Sequence, residues 1–250
     1  ILYRLVGSEM CIRDRCPELI IFAGLILLII VPNLGKGTVR IPGTQTRVMW
    51  FLGGERFKLT SNPRLPAWIA TITLGAAFAQ TILSFQDGVD RTAIVTDSGK
   101  QLMLVNGFSR VFELIFFGAL TLAAFASMNR LEVKGVGPNL STDDLYNNRR
   151  QADFYILMLT CGLGMSVVAL AQDLFVLFIG LELASFSTYV LVAFYKETKA
   201  GTEAGMKYFI VGSVASGVGL YGLSMLYLWA GSLQFLSLIH ISEPTRRYRI

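Results

Sequence analysis

The stretch LFVLFIGLELASFSTYVLVAF, from Leu174 to Phe194, decides the fold because it is apolar throughout except for one charged side chain, Glu182. A helix of ~20 apolar residues is long enough to cross the hydrocarbon core of a bilayer. At ~1.5 Å per residue, Glu182 lies roughly 12 Å from the first residue of this stretch and roughly 18 Å from the last. The sequence therefore predicts a transmembrane helix with a carboxyl group near the middle of the membrane.

The whole chain has the composition of a multi-pass membrane protein. Hydrophobic residues make up 53% of its 250 residues and charged residues only 16%, which is too apolar for an ordinary soluble domain. Because backbone polar groups in lipid must be satisfied within the segment, apolar segments of this length are predicted to be helices. The predicted fold is an all-α polytopic transmembrane bundle of about six spans: 18–31, 65–85, 107–128, 154–171, 174–195 and 204–230. Only Gln172 and Asp173 separate the fourth and fifth spans, which predicts a tight helical hairpin.

The two ends of the chain have a common origin at the level of DNA. LVGSEMCIRDR (Leu5–Arg15) and LSLIHISEPTR (Leu236–Arg246) are encoded by one DNA string and its reverse complement, and that string resembles a transposase-type sequencing adapter. We therefore expect residues 1–15 and 236–250 to be non-native scars and residues 16–235 to be a transmembrane domain fragment that continues beyond both ends in the parent gene.

Removal of these ends excludes several classes of function. The only histidine, His240, is lost with them, so neither a histidine ligand nor a histidine base is expected. Cys16 and Cys161 remain and form no metal or disulfide framework. The formal net charge falls from +5 to about +2, so the basic balance implies no nucleic-acid partner.

The loops between the predicted spans predict the orientation of the chain. The loops 33–64, 129–153 and 196–203 lie on one side and together carry twelve Lys and Arg residues. The loop 86–106 on the other side carries Arg91 and Lys100 beside three aspartates. Basic loops remain in the cytoplasm, so the N-terminus is expected outside and the chain in the cell (inner) membrane. Residues 35–60, rich in Gly, Thr and Arg, are expected to be an irregular surface connection.

Glu182 is the principal candidate for a functional residue. A charge at the bilayer centre costs roughly 3 kcal/mol on insertion scales, so such residues face the bundle interior or water. Ser185 and Tyr189 follow at i+3 and i+7 and extend a polar stripe on the same face. Removal from water disfavours the ionised form of a carboxyl group, so Glu182 is expected to take up and release protons. The alternative is a protonated glutamate that only hydrogen-bonds a neighbouring helix.

Other polar residues of the spans are weaker candidates. Lys207, one turn inside the sixth span, is interpreted as a cation that biases Glu182 through water or a third group; the alternative is that it extends to the membrane surface. Glu113 in the third span is expected at the membrane interface. Small residues form a predicted packing seam on one side of the sixth span: Gly205, Gly212, Ser216 and Gly219.

The segment from Ala152 to Ser232 resembles a known family. The residues that carry the resemblance are ADFYILML, DLFVLFIGLELASFSTYVLVAF and EAGMKYFIVGSVASGVGLYGLSMLYLWAGS, with weaker similarity in PELI (Pro17–Ile20) and VNGFSR (Val105–Arg110). They are similar to subunit N of the proton-pumping NADH:quinone oxidoreductase, respiratory complex I. The match covers about a third of the chain closely.

The resemblance implies a function in proton translocation coupled to quinone reduction. It implies an antiporter-like subunit without a redox centre or cofactor of its own, with NADH, flavin, iron–sulfur clusters and quinone bound in other subunits. Its partners would be the other membrane-arm subunits and the lipid bilayer. Glu182 occupies the position of the family's essential glutamate and Lys207 that of the lysine in its EA-x-x-KY segment. The family's central lysine is expected after Ser232, so the fragment alone is expected to be inactive.

Two other interpretations remain open. The same architecture serves multi-subunit cation/proton antiporters, and the sequence beyond Ser232 together with the neighbouring genes would distinguish them from complex I. The chain could also be a structural membrane subunit in which Glu182 only holds helices together.

Overall fold

The structure is a computed structural model that describes residues 17–33, 38–40, 47–49, 64–87, 91–95, 101–128, 142–195 and 198–242. The predicted scar at 1–15, residues 243–250 of the second one, and most of the basic loops at 33–64 and 129–153 lie outside the described residues.

The described residues form helices that follow the predicted spans closely. In chain order these are α1 (Pro17–Asn33), α2 (Leu65–Asp87), α3 (Gly107–Ser127), α4 (Thr142–Leu170), α5 (Leu174–Val192), α6 (Lys199–Ala230) and α7 (Phe235–Ser242). Within the described parts of the chain, five of them are long and apolar enough to cross a membrane, and α1 contributes a shorter apolar segment, Pro17–Ile30. The prediction of an all-α transmembrane bundle is confirmed.

Two short β-hairpins in the connections were not predicted. Strand β1 (Thr38–Arg40) pairs with β2 (Arg47–Met49), and β3 (Arg91–Val95) pairs with β4 (Gln101–Val105), both antiparallel. The expectation of an entirely irregular connection at 35–60 is therefore wrong where β1 and β2 form. A connection that returns to the same membrane surface brings its two arms together, and antiparallel pairing then satisfies their backbone groups.

Helix α4 lies at the centre of the bundle and packs against α1, α2, α3 and α5. Its Tyr155 and Leu159 are fully buried, together with Leu28 of α1, Leu74 of α2 and Phe117 of α3. Among the described helices, α6 packs chiefly against α5. The bundle therefore has a core around α4, with the α5–α6 pair on one side of it.

The connection between α4 and α5 is as tight as predicted. Helix α4 ends at Leu170 and α5 begins at Leu174. The side chain of Asp173 caps α5 by accepting a hydrogen bond of 2.8 Å from the backbone N–H of Phe175. The backbone N–H of Gln172 donates to the carbonyl of Leu102 in β4 at 2.9 Å. The β3–β4 hairpin therefore anchors this turn and fixes the position of α5 along its axis relative to the neighbouring helices.

Candidate functional site

Glu182 lies on the face of α5 that contacts α6. Its side chain is half-buried, and its Oε1 atom accepts a hydrogen bond of 2.5 Å from the Oγ of Ser216 on α6. This distance falls in the range of about 2.5–2.7 Å that is usual when a hydroxyl donates to an ionised carboxylate. The structure therefore gives Glu182 a polar partner on the neighbouring helix rather than leaving it against lipid.

The α5–α6 contact is close because α6 presents small residues to α5. A Cβ atom added to Gly212 would lie within 2.5 Å of the Tyr189 hydroxyl, and one added to Gly205 would meet the backbone and side chain of Ala193. Gly219 of α6 faces Phe178 of α5. The prediction of a small-residue seam used for close approach is confirmed, and Ser216 within it contributes a hydrogen bond in addition to packing.

The polar stripe of α5 faces α6 at both ends of the stripe. Tyr189 is 8% exposed, and its ring stacks edge-on against Tyr208 of α6 with centroids 4.7 Å apart. Thr188 lies 3.5 Å from the Tyr208 hydroxyl. Glu182 and the tyrosine pair thus mark two polar contacts along one helix interface, about two turns apart.

Lys207 is not brought together with Glu182. Its Nζ atom forms a 2.6 Å ion pair with Oε1 of Glu203, one turn earlier on α6, and both side chains are exposed. Lys207 precedes Ser216 by nine residues, or about 13.5 Å and two and a half turns, which places it on the opposite face of α6. The structure shows no direct contact between Lys207 and Glu182, and their coupling stays a prediction.

Glu113 is buried between helices of the bundle, and the expectation that it lies near the membrane interface stays a prediction. Its side chain is 2% exposed, and its Oε1 lies 3.2 Å from the Oγ of Ser166 on α4. The same hydroxyl lies 2.8 Å from Oε1 of Glu18 on α1. The sequence signal that could have revealed this site is Arg110, which precedes Glu113 by one helical turn in an otherwise apolar span.

Within the parts of the chain that the structure describes, no group of three or more His, Cys, Asp or Glu side chains could hold a metal ion. The expectation that this chain carries no cofactor stays a prediction. The chemistry available at Glu182 and Ser216 is proton exchange at a carboxyl group that a neighbouring hydroxyl stabilises.

Residues 171–248, which contain Glu182, Lys207 and Ser216, match a protein family described as the transmembrane domain of NADH:quinone oxidoreductase and Mrp antiporters. The chain is 40% identical over 131 residues to NADH-quinone oxidoreductase subunit N of Halorhodospira halophila. The chain is a relative of NADH-quinone oxidoreductase subunit N. It is also 30% identical over 225 residues to the subunit N of Methylobacterium nodulans.

These matches cover only part of each subunit N. The chain spans 26% of the Halorhodospira halophila protein and 38% of the Methylobacterium nodulans protein, with 52% and 89% of its own length aligned. The similarity to subunit N that the sequence motifs predict is therefore confirmed, for a segment of that subunit.

Two solved membrane complexes contain chains of the same fold. Respiratory complex I from Thermus thermophilus with bound aureothin aligns with 87% of this chain and 38% of its own, at a TM-score of 0.58 and 21% identity. The archaeal membrane-bound sulfane sulfur reductase aligns with 91% and 40%, at a TM-score of 0.56 and 22% identity. These similarities show that the chain shares its helix arrangement with chains of these two complexes.

Proposed function

We propose that this chain is part of a membrane-arm subunit of a proton-translocating NADH:quinone oxidoreductase and that Glu182 exchanges the translocated proton. The observation that carries the proposal is the hydrogen bond from Ser216 to Glu182 in the middle of two packed apolar helices. A carboxyl group with only a structural role is an expensive choice there, because Ser or Thr would join the helices at a lower desolvation cost.

The ionised and protonated states of Glu182 differ in the strength of their hydrogen bond to Ser216 of α6. In the ionised state, both carboxylate oxygens are acceptors and one receives the Ser216 hydrogen. A proton that arrives on Glu182 removes the charge and weakens this contact. A small change in the distance between α5 and α6 therefore alters the balance between the two states, which is how movement elsewhere in the complex would drive proton uptake and release at this residue.

Lys207 has a supporting role in the proposal. As a cation near the inner end of α6, it would favour the ionised form of Glu182 through water or an intervening group. Its ion pair with Glu203 holds the ammonium on the face of α6 that is turned away from α5. Any movement that separated Lys207 from Glu203 would free the cation to act on other groups of the complete subunit.

The relatives support a proposal for the partners, and the charges of the loops support one for the orientation. The other membrane-arm subunits of complex I and the lipid bilayer would contact this chain, and NADH, flavin, iron–sulfur clusters and quinone would be bound elsewhere in the complex. The chain would lie in the cell (inner) membrane with its N-terminus outside and its basic loops in the cytoplasm. Residues 16–235 would be the native transmembrane part, flanked by adapter-derived residues.

The proposal is tested by replacing Glu182 with Gln in the complete subunit and measuring proton pumping by inverted membrane vesicles. We expect assembled complex with pumping reduced at least tenfold, because the amide keeps the size and polarity of the side chain but does not titrate. Glu182→Asp, which retains a carboxyl group, is the matched control and should retain part of the activity. Normal pumping by fully assembled Glu182→Gln complex would reject the proton role and favour a residue that only holds α5 and α6 together.

A second candidate function is that of a subunit of a cation/proton antiporter. The description of the matching family, which includes Mrp antiporters, favours it. The two candidates differ in the genes beside the parent gene, which encode redox subunits in the first case and only antiporter subunits in the second.

A further inference from the structure

A second set of buried polar groups lies away from the α5–α6 contact, between α1, α3 and α4. Ser166 of α4 is fully buried, and its Oγ is 2.8 Å from Oε1 of Glu18 and 3.2 Å from Oε1 of Glu113. Three helices thus converge on three oxygen atoms that the mechanism at Glu182 does not use.

If both carboxyl groups are ionised, this site has fewer hydrogen-bond donors than its contacts require. Ser166 has one hydroxyl hydrogen, whereas an ionised carboxylate can only accept. The single hydrogen of Ser166 can be donated to only one of the two carboxylate oxygens that contact the hydroxyl, so the other contact lacks a donor. One additional proton, carried by either carboxyl group, supplies the missing donor and removes the repulsion between two like charges that share a site.

The surrounding charges agree with one bound proton. Arg110 lies one turn before Glu113 on α3 and is 4% exposed. The apolar part of α2 that packs against these helices, Leu65–Phe85, contains no charged residue. With one proton shared, Glu18 and Glu113 carry a single negative charge beside the single positive charge of Arg110. Without it, the pair would carry two negative charges in a setting that excludes water.

We propose that Glu18, Glu113 and Ser166 form a second proton-binding site, which holds one exchangeable proton between two carboxyl groups. Binding places the proton on a carboxyl oxygen, and release returns it from the same oxygen to water. All three residues lie near one membrane surface: Glu18 is the second residue of α1, Glu113 the seventh of α3 and Ser166 the fifth from the end of α4. The site would exchange protons with the side that carries the β3–β4 hairpin, independently of the role of Glu182.

The test is infrared difference spectroscopy of the full-length subunit in its assembled complex at neutral pH. The intensity of the protonated carboxyl band is compared between the wild type and the variants Glu113→Gln, Glu18→Gln and their double variant. We expect each single variant to lose one carboxyl equivalent per subunit, because the glutamine amide supplies the hydrogens that the shared proton supplied. The double variant should lose the same single equivalent.

Three results distinguish the alternatives. A loss of zero equivalents would show that both groups are ionised, and a loss of two in the double variant would show that each holds its own proton; either result overturns the proposal. Glu203→Gln, which replaces an exposed glutamate ion-paired with Lys207, is the control and should leave this band intensity unchanged. If Glu113→Gln does not assemble, Glu18→Gln carries the test alone, since Glu18 is only partly buried at the start of α1; a band of unchanged intensity in it would again overturn the proposal.

Discussion

At the scale of single residues, Glu182 and Ser216 face each other across two largely apolar helices, α5 and α6. The hydroxyl group stabilises negative charge at a depth where water does not. In the function that we propose, Ser216 is a positioning residue: it does not exchange a proton itself, but its hydrogen bond influences proton exchange at Glu182. Its position in a seam of small residues also allows α6 to approach closely enough for the bond to form.

Ser216→Ala removes this hydrogen bond and leaves the packing of the seam almost unchanged. A hydrogen bond to a charged group contributes about 1.5–3 kcal/mol, and 1.4 kcal/mol corresponds to about a tenfold change in an equilibrium constant. We expect proton pumping to fall about tenfold, while assembly and the electron-transfer activity of uncoupled vesicles change little. Ser213→Ala, at an exposed position on the same helix, is the matched control; equal pumping by the two variants would contradict the role of Ser216.

The sequence identifies Glu182 but not its partner. A lone carboxyl group in an apolar run is visible without any structure, because its desolvation cost demands an explanation. Helical periodicity predicts only which face of a helix is polar. It does not predict the rotation and axial position of α6 relative to α5, which determine which small residue of α6 contacts Glu182. The polar partners of Glu113 were missed for the same reason: Ser166 lies 53 positions from it and 148 positions from Glu18, so only the folded bundle brings the three together.

At the scale of elements, the α4–α5 hairpin is the central unit of the bundle. Gly164 of α4 lies directly against α5, since a Cβ atom at this position would be 2.5 Å from the backbone nitrogen of Ala184 and 2.9 Å from the carbonyl of Gly180. Backbone atoms cannot move aside as a flexible side chain can. This glycine therefore sets the distance between the helix that carries Ser166 and the helix that carries Glu182.

Gly164→Ala is expected to force α4 and α5 apart. Overpacking of a close contact costs about 1–3 kcal/mol, so the free energy of unfolding of the full-length subunit in detergent micelles should fall by about that amount. Gly217→Ala is the matched control, because a Cβ at Gly217 meets nothing within 4 Å. Equal stabilities of the two variants would show that α4 and α5 are not in close contact at Gly164.

The helices were more predictable than the connections. Hydrophobic length predicts each span to within a few residues because lipid allows no backbone structure there other than a helix. The same argument does not apply outside the membrane, where β3 and β4 form from residues without a strong alternating pattern. Helix α4 also begins at Thr142, well before its apolar part at Gln151, because polar residues can continue a helix into water.

At the scale of the whole molecule, basic residues concentrate in the connections on one side of the bundle. The connection from α5 to α6 carries Lys196 and Lys199 on that side, whereas β3 and β4 lie on the other. An electrostatic bias of this kind fixes the orientation of insertion. In the orientation that we propose, Glu18, Glu113 and Ser166 lie near the outer membrane surface and Lys207 lies near the inner one.

The predicted orientation can be measured with single cysteines in a subunit whose native cysteines are replaced by alanine. Lys199→Cys and Gln101→Cys place thiols at exposed positions on opposite sides of the bundle. A membrane-impermeant maleimide added to intact cells or spheroplasts should label Gln101→Cys and leave Lys199→Cys unlabelled, with the reverse result in inverted vesicles. Labelling of Lys199→Cys from outside would reverse the topology.

The most direct measurement of the central claim is time-resolved infrared spectroscopy of the assembled complex during turnover, with the Glu182→Gln complex as the reference. The account predicts a carboxyl band that appears and disappears with each cycle in the wild type and is missing in the variant. A Glu182 side chain that keeps one protonation state throughout turnover, in a complex that still pumps protons, would contradict the account.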